Sequence, residues 1–179
     1  PRIILSATGP LMTKVAAEVA DGMIMHPFSS EKYMREVTLP AIEEGLEKSG
    51  RDLSRFALDY APMVATGTTE EELTRSIAAV RDRIAFYGCT VAYKPVLDIH
   101  GWGDVQDELI ALNRQHKTEE MAALITDEML ETIAIVGEPE QVVDGMKSRL
   151  GDVVARTGFG VPSMRDDDTA ALLEKLRDP

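Results

Sequence analysis

The sequence has 179 residues, enough for one domain but short of the roughly 250 residues of a complete (β/α)8 barrel. It is 44% hydrophobic and 28% charged, which is typical of a soluble globular protein and disfavours disordered, collagen-like and coiled-coil classes. Its 31 acidic and 19 basic residues give a net charge of −12, so we expect neither nucleic acid nor a membrane surface as a partner.

In chain order, the sequence predicts strands that alternate with helices, which is the pattern of an α/β protein with a parallel sheet. The predicted strands cover residues 2–6, 23–25, 56–65 and 152–161. The predicted helices begin near residues 10, 31, 70, 139 and 166. Between the third and fourth strands, residues 91–135 predict several short helices without a strand, and we call this segment the helical insert.

Individual residues predict the apolar face, the caps and a break of these helices. The first predicted helix has an apolar face with helical spacing, formed by Leu11, Met12, Val15, Ala16 and Val19. The pair Ser29-Ser30 predicts a cap for the second helix, and Pro40 predicts a kink or a break inside it. Thr68 and Thr69, followed by acidic residues, predict a capping box for the third helix.

Two architectures fit this order of elements over residues 1–179, which we treat as one α/β unit. One is an open, doubly wound sheet, and the other is half of a (β/α)8 barrel. Four strands can form a small open sheet, but they cannot close a barrel whose interior is filled by eight strands. The pattern alone leaves both architectures open.

The segment Ser6-Ala7-Thr8-Gly9-Pro10 is the strongest candidate for a binding site. It connects the first predicted strand to a helix, where free backbone N–H groups and the positive helix end can hold a phosphate. The hydroxyls of Ser6 and Thr8 add donors. The spacing is neither a P-loop nor a GxGxxG motif, and on spacing alone a plain turn with a capping Thr and Pro10 at the start of the helix is the preferred interpretation.

Other polar residues offer weaker candidates. His26 follows the second predicted strand at the edge where α/β enzymes bind ligands, so it is a candidate for contact with substrate. Asp59, inside the third predicted strand, needs a partner: it could face a polar ligand pocket, but an ion pair with an arginine such as Arg83 is the preferred interpretation. His100 and His116 lack the spacing of metal ligands, so we expect no metal site.

The aromatic residues and the single cysteine have further possible roles. Residues 83–93 contain Phe86, Tyr87 and Tyr93, which could form a pocket wall or pack ordinarily against the helix. Trp102 lies between two glycines in the helical insert, where it could form a lid, form a dimer contact or anchor the insert to the core. Cys89 is the only cysteine, which excludes an intrachain disulfide and favours a reducing, cytoplasmic location.

Taken together, the motifs resemble the luciferase-like monooxygenase superfamily, and within it the deazaflavin-dependent (coenzyme F-420) oxidoreductases. The resemblance covers nearly the whole chain, in the correct order. The matching segments are Ile4–Pro10, Ala16–Gly22, Val64–Gly67, Ala85–Gly88 with Thr90 and Ala92-Tyr93, His100–Trp102 and Ile135–Glu140.

The resemblance implies that the chain is the C-terminal half of a (β/α)8 barrel, from the fifth strand onward. It implies that Ser6 to Pro10 bind the phosphate-bearing part of coenzyme F-420, with FMN as the alternative, and that a hydride passes between cofactor and an organic substrate. The catalytic histidine of the family lies in the other half, so no catalytic residue is assigned here. We expect a homo-oligomer or a first-half barrel partner, and a non-catalytic half-barrel that docks through its open sheet edges is the alternative.

Overall fold

The structure, a computed structural model, describes residues 1–158 and 166–177. The strands in these residues are β1 (Ile4–Ala7), β2 (Gly22–Met25), β3 (Ala57–Tyr60), β4 (Met63–Ala65), β5 (Ala134–Val136) and β6 (Arg156–Thr157). The α-helices are α1 (Gly9–Val19), α2 (Glu31–Tyr33), α3 (Leu39–Ser49), α4 (Glu70–Gly88), α5 (Lys94–Asp98), α6 (Gly103–Arg114), α7 (Thr118–Ala123), α8 (Asp127–Ile133), α9 (Pro139–Leu150) and α10 (Asp166–Arg177).

The strands form two parallel sheets, which confirms the α/β class. One sheet has the strand order β1-β2-β3-β6, and the other pairs β4 with β5. In the first sheet Ala7 is paired with Met25, and Met25 with Tyr60, so the carboxyl ends of three neighbouring strands meet at one edge. The segments that follow β1 and β2 therefore start side by side.

The four-stranded sheet is covered on one face. Met23, Leu58 and Tyr60 are buried against α1 and α3, which contribute a core of small and branched side chains. The opposite face, which we call the open face, carries Ile4, Ser6, Ile24 and Asp59. Ser6 is exposed and Ile24 is 46% exposed, so the described residues do not cover this face.

The apolar face predicted for α1 is wrong in most of its residues. Ala16 is buried, but Leu11, Val15 and Val19 are 74%, 36% and 64% exposed. The helix instead turns its small residues toward α3, where a Cβ added at Gly45 would lie 2.7 Å from the Cβ of Ala17. This close approach of the two helices leaves the larger apolar side chains on the outside.

The third predicted strand, residues 56–65, is divided into β3 and β4, which belong to different sheets. Ala61 and Pro62 separate them. Because proline has no N–H group to donate, it cannot continue the ladder that β3 forms with its neighbours. β4 then pairs with β5, where Val64 is opposite Ile135.

β5 is a strand that sequence reasoning missed, because it follows α8 without a turn signal at the end of the helical insert. Three apolar residues have no periodicity that distinguishes a strand from a helix. The fourth predicted strand, 152–161, is also shorter than expected: β6 covers Arg156–Thr157, and its predicted part from residue 159 lies outside the described residues.

The predicted helix at 31–48 is split, as Pro40 indicates. A π-helical turn, Met34–Thr38, separates α2 from α3. The predicted caps are confirmed at Ser30, whose hydroxyl accepts a hydrogen bond from Tyr33 N at 3.1 Å, and at Thr69, whose hydroxyl accepts from Glu72 N at 3.2 Å. Gly50 closes α3 with a left-handed φ of 68°.

The helical insert packs on α4 through a second core. Leu97, Leu109 and Ile125 are almost completely buried there. Gln106 fixes the insert to the end of α4, because its buried Nε2 donates to Gly88 O at 2.8 Å and to Thr90 O at 3.0 Å. The turn that follows α4 is therefore held in place above the carboxyl ends of the strands.

Candidate functional site

The turn between β1 and α1 is the first part of the candidate site. Thr8 is extended, and Gly9 has a φ of 76°, a left-handed conformation that favours glycine. No atom lies within 4 Å of the position that a Gly9 Cβ would occupy, so this side of the turn is open. The side chain of Thr8 does not cap α1, which leaves its hydroxyl available to another acceptor or donor.

His26 follows β2 and is the second part of the site. Its Nδ1 accepts a hydrogen bond from Phe28 N at 3.0 Å, which ties the imidazole to the loop that leads to α2. The ring is half-buried, and this burial lowers the pKa of His26 below its usual value of 6.5. The neutral form of the ring is therefore favoured.

A cavity joins the two parts. It is small, with a volume of about 20 Å³, which is room for about one water molecule. It is lined by Ala7, Thr8, Gly9, Thr13, Met23, Met25, His26, Phe28, Ser29, Tyr33, Thr38, Ala92, Tyr93 and Val96. Of the sequence-predicted residues, Ala7, Thr8, Gly9 and His26 meet here, whereas Ser6 belongs to the open face and Pro10 does not line the cavity.

Two tyrosines enclose the imidazole of His26. Tyr93 is stacked on it, with ring centroids 4.5 Å apart, and Tyr87 meets it edge-on at 4.7 Å. Tyr93 belongs to the helical insert and also lines the cavity. Of the three aromatic residues in this segment, Tyr93 lines the cavity, whereas Tyr87 packs against the core and Phe86 is 60% exposed.

Ser29 is a cavity residue that sequence reasoning did not select for a functional role. Ser30 alone caps α2, and the Ser29 hydroxyl is completely buried without a hydrogen-bond partner. The sequence held one indication of this: a single serine suffices to cap a helix, so the pair Ser29-Ser30 contains one serine more than the cap needs.

The remaining candidates have structural partners. Asp59 forms its ion pair with Arg156 and not with Arg83, so the type of interaction was predicted and the partner was wrong. His100 Nε2 is 2.8 Å from the Ser30 hydroxyl, and its ring is stacked on Trp102 at 4.6 Å. Trp102 packs against the core of the insert, which favours the anchoring role among the three that the sequence left open. Across residues 1–158 and 166–177, no three His, Cys, Asp or Glu side chains are grouped to hold a metal ion.

No helix within the described part of the chain is long and apolar enough to span a membrane. The single cysteine, Cys89, is partly buried, and its thiol donates a hydrogen bond to Phe86 O at 2.9 Å. Burial also raises the pKa of this thiol, which disfavours the thiolate and a nucleophilic role.

Comparison with known proteins gives a consistent result. An uncharacterized protein of Mycobacterium tuberculosis is 44% identical over 156 residues, which are 87% of this chain and 46% of that protein. The 5,10-methylenetetrahydromethanopterin reductase of Methanopyrus kandleri is 30% identical over 169 residues, 93% of this chain and 46% of the enzyme. The chain thus spans about half the length of the curated relatives that it matches.

Solved structures of similar fold include two F-420-dependent enzymes. The coenzyme F-420 dependent tetrahydromethanopterin reductase of Methanopyrus kandleri superposes with a TM-score of 0.77 at 25% identity, over 97% of this chain and 49% of that one. An F-420-dependent secondary alcohol dehydrogenase shares the fold, with a TM-score of 0.64 at 16% identity. The sequence model of the luciferase-like monooxygenases matches residues 1–156. The chain therefore belongs to the luciferase-like monooxygenase family.

Proposed function

We propose that this chain is the C-terminal half of a (β/α)8 barrel in a coenzyme F-420-dependent oxidoreductase that transfers a hydride between the deazaflavin and an organic substrate. Family membership and the names of its reductase relatives support the chemistry. The chain's coverage of about half of each relative supports the half-barrel. When bound, the cofactor would supply the hydride chemistry, while the protein would bind and orient it.

The observation that carries the cofactor proposal is the open turn at Thr8 and Gly9. In this proposal Ser6, Ala7, Thr8, Gly9 and Pro10 hold the phosphate-bearing part of the cofactor at the start of α1. The first-turn N–H groups of α1 receive no bond from the Thr8 side chain, so they remain available to an anion. FMN is the alternative cofactor, because this turn would recognise a phosphate and not a ring.

The substrate would lie on the side of His26, whose ring lines the same cavity as the turn. Within residues 1–158 and 166–177, no Lys or Arg lines the cavity, so hydroxyls, backbone N–H groups and the helix dipole of this part of the chain would hold the anion. We therefore expect weak binding by this chain and tighter binding when a first-half partner adds positive charge.

The open face supports the half-barrel. Parallel sheets are usually covered on both faces, yet Ser6 and Ile24 are exposed, and Asp59 is in register with them on the same face. In an eight-stranded barrel these residues would point into the filled interior. A first-half partner, or a second copy of the chain, would cover them.

The same open face favours a second candidate function, a non-catalytic half-barrel that self-associates or docks to a partner. β1 lies at the edge of the four-stranded sheet, where its unpaired backbone groups can accept another strand. Light scattering at several concentrations measures self-association. Self-association without cofactor binding would support the non-catalytic half-barrel over the oxidoreductase.

Titration with coenzyme F-420 and with FMN tests the cofactor proposal directly, with the chain alone and with a first-half partner. Thr8→Glu should weaken binding, because it places a negative charge next to the phosphate. Thr118→Glu is the matched control, since Thr118 is exposed at the start of α7 and far along the chain from the turn. No binding to either assembled form would refute the cofactor proposal.

A further inference from the structure

The helix α1 has two apolar faces, and only one of them is buried. Its small residues pack against α3. The other face, which we call the outer stripe, consists of Leu11, Met12, Val15 and Val19, whose exposed fractions are 74%, 47%, 36% and 64%. At about 100° per residue, these four side chains fall within one arc of about 100°, which is the width of a helix face that packs against a neighbour.

The charged residues of α1 do not interrupt the outer stripe. Lys14 forms an ion pair with Glu44 of α3. Glu18 forms a second one with Lys48 of α3, at 2.8 Å. Both side chains are therefore turned toward α3, and the stripe remains a continuous apolar surface. A helix face that ends in water is normally polar, so a contiguous exposed apolar face indicates a contact surface.

The outer stripe lies beside the free edge of the four-stranded sheet. β1 is the edge strand, and α1 follows it directly. Ile3 precedes β1 and is 56% exposed, and its O accepts a hydrogen bond at 2.8 Å from the N–H group of Asp21, just after the end of α1. This contact brings Ile3 to the same end of the helix as Val19. The apolar surface thus continues from the helix to the edge strand.

A strand that brings its own helix fits this surface. In a parallel sheet, neighbouring strands are joined by crossover helices, which pack side by side on a face of the sheet. A strand that pairs in parallel with β1 would therefore place its helix beside α1, against the outer stripe. This chain covers 46% of the Methanopyrus kandleri reductase and 49% of the solved structure, so these relatives contain further chain of about equal length.

We propose that the outer stripe of α1 is a docking surface for an amphipathic helix of a first-half barrel partner, whose adjoining strand pairs with β1. The apolar face of that helix would cover Leu11, Val15 and Val19. A second copy of the chain fits less well, because two copies with a net charge of −12 each repel one another. The inference rests on the half-barrel of the proposed function, but it does not depend on a cofactor.

The docking surface is tested by its accessibility to N-ethylmaleimide. Leu11→Cys and Leu53→Cys are each made in a Cys89→Ser chain, which is studied alone and co-expressed with the part of the 44% identical mycobacterial protein that this chain does not match. In the chain alone both variants should react rapidly, because both leucines are exposed. In the co-purified complex, the reaction of Leu11→Cys should slow at least about tenfold, whereas Leu53→Cys, outside α1, should react as before.

A charged substitution supplies a second measurement. Leu11→Lys should lower the affinity for the mycobacterial part about tenfold or more, because a leucine that the complex buries is replaced by a charge. Leu53→Lys is the matched control and should leave the affinity unchanged. Neither change should alter the free energy of unfolding of the chain alone, since both leucines are exposed there, so a weaker complex would not result from misfolding.

Equal reaction rates of Leu11→Cys with and without the mycobacterial part, or no complex between the two, would overturn the proposal. Protection of Leu11→Cys in the chain alone, rising with its concentration, would identify a second copy as the occupant and overturn it as well. The cofactor titrations give a separate answer. If the complex forms through the stripe and neither coenzyme F-420 nor FMN binds, the oxidoreductase proposal fails and the docking surface stands. If a cofactor binds while Leu11→Cys still reacts freely, only the docking surface fails.

Discussion

Arg156 forms a two-point ion pair with Asp59 across the neighbouring strands β6 and β3. Nε lies 3.0 Å from Oδ1, and Nη2 lies 2.7 Å from Oδ2. The carboxylate is 18% exposed and the guanidinium 64% exposed, so water screens the pair. β6 forms only a short ladder with β3. The ion pair therefore helps to hold these two strands together on the open face.

We expect a small coupling energy for this pair. In a double-mutant cycle with Asp59→Asn and Arg156→Gln, measured by urea unfolding, the interaction should stabilise the chain by ~1 kcal/mol or less. Added salt should reduce it further. A coupling of several kcal/mol would mean that the pair is buried in the protein in solution, as it would be if another chain covers the open face.

The ion pair also shows how far sequence reasoning reaches. The need of Asp59 for a cation was predictable from its position in a strand, but its partner was not. Arg83 was closer in sequence, whereas Arg156 is brought near by the pairing of β3 with β6. Local signals such as the Ser30 cap and the break at Pro40 were predictable because neighbouring residues determine them.

The errors arose where distant parts of the chain decide the outcome. An apolar stripe on α1 indicated a buried face, but the tight contact with Gly45 determined which side is buried. β5 was missed because its pairing with β4, and not its own periodicity, makes it a strand. In the site, the turn and His26 were predicted, whereas the unpaired Ser29 hydroxyl depends on the three-dimensional packing.

The glycine of the turn can be tested against a second glycine. Gly9 and Gly50 both have left-handed φ values, 76° and 68°, and in both cases a Cβ would meet no atom within 4 Å. We therefore expect Gly9→Ala and Gly50→Ala to lower the free energy of unfolding by a similar amount, ~1 kcal/mol, through backbone strain alone. Only Gly9→Ala should also weaken coenzyme F-420 binding, measured by fluorescence titration. Equal binding by the two variants would argue against a cofactor at the turn.

The stability of the chain should depend on His100. Burial, and then the charge of Lys32, lowers the pKa of His100 below 6.5 in the folded chain. As the pH falls, the unfolded chain binds the proton before the folded chain does. The free energy of unfolding is therefore highest above about pH 6.5 and decreases as the pH falls toward the folded-state pKa. Measured by urea unfolding between about pH 7.5 and 5, this decrease should be smaller for His100→Gln than for the unmodified chain. Lys32→Gln should reduce the decrease without abolishing it.

Gln106 should be essential for the position of the helical insert. Gln106→Ala would leave the Gly88 and Thr90 carbonyls without their shared donor, which we expect to destabilise the chain by ~2 kcal/mol. Gln115→Ala is the control, because Gln115 is exposed and its side chain donates to Ala111 O within the same helical segment. Thermal unfolding measures both. Similar melting temperatures for the two variants would contradict the anchoring role.

The exposed apolar residues of α1 should mediate association and not folding. Leu11 and Val19 are 74% and 64% exposed, so Leu11→Lys with Val19→Lys should leave the free energy of unfolding of the monomer nearly unchanged. If the chain self-associates through this side, sedimentation should show a monomer for the double variant. The added lysines reduce the net charge of −12, so charge repulsion cannot explain a loss of association. Leu53→Lys, at a 48% exposed leucine outside α1, should associate like the unmodified chain. Strong destabilisation of the double variant would instead mean that α1 is covered within the monomer.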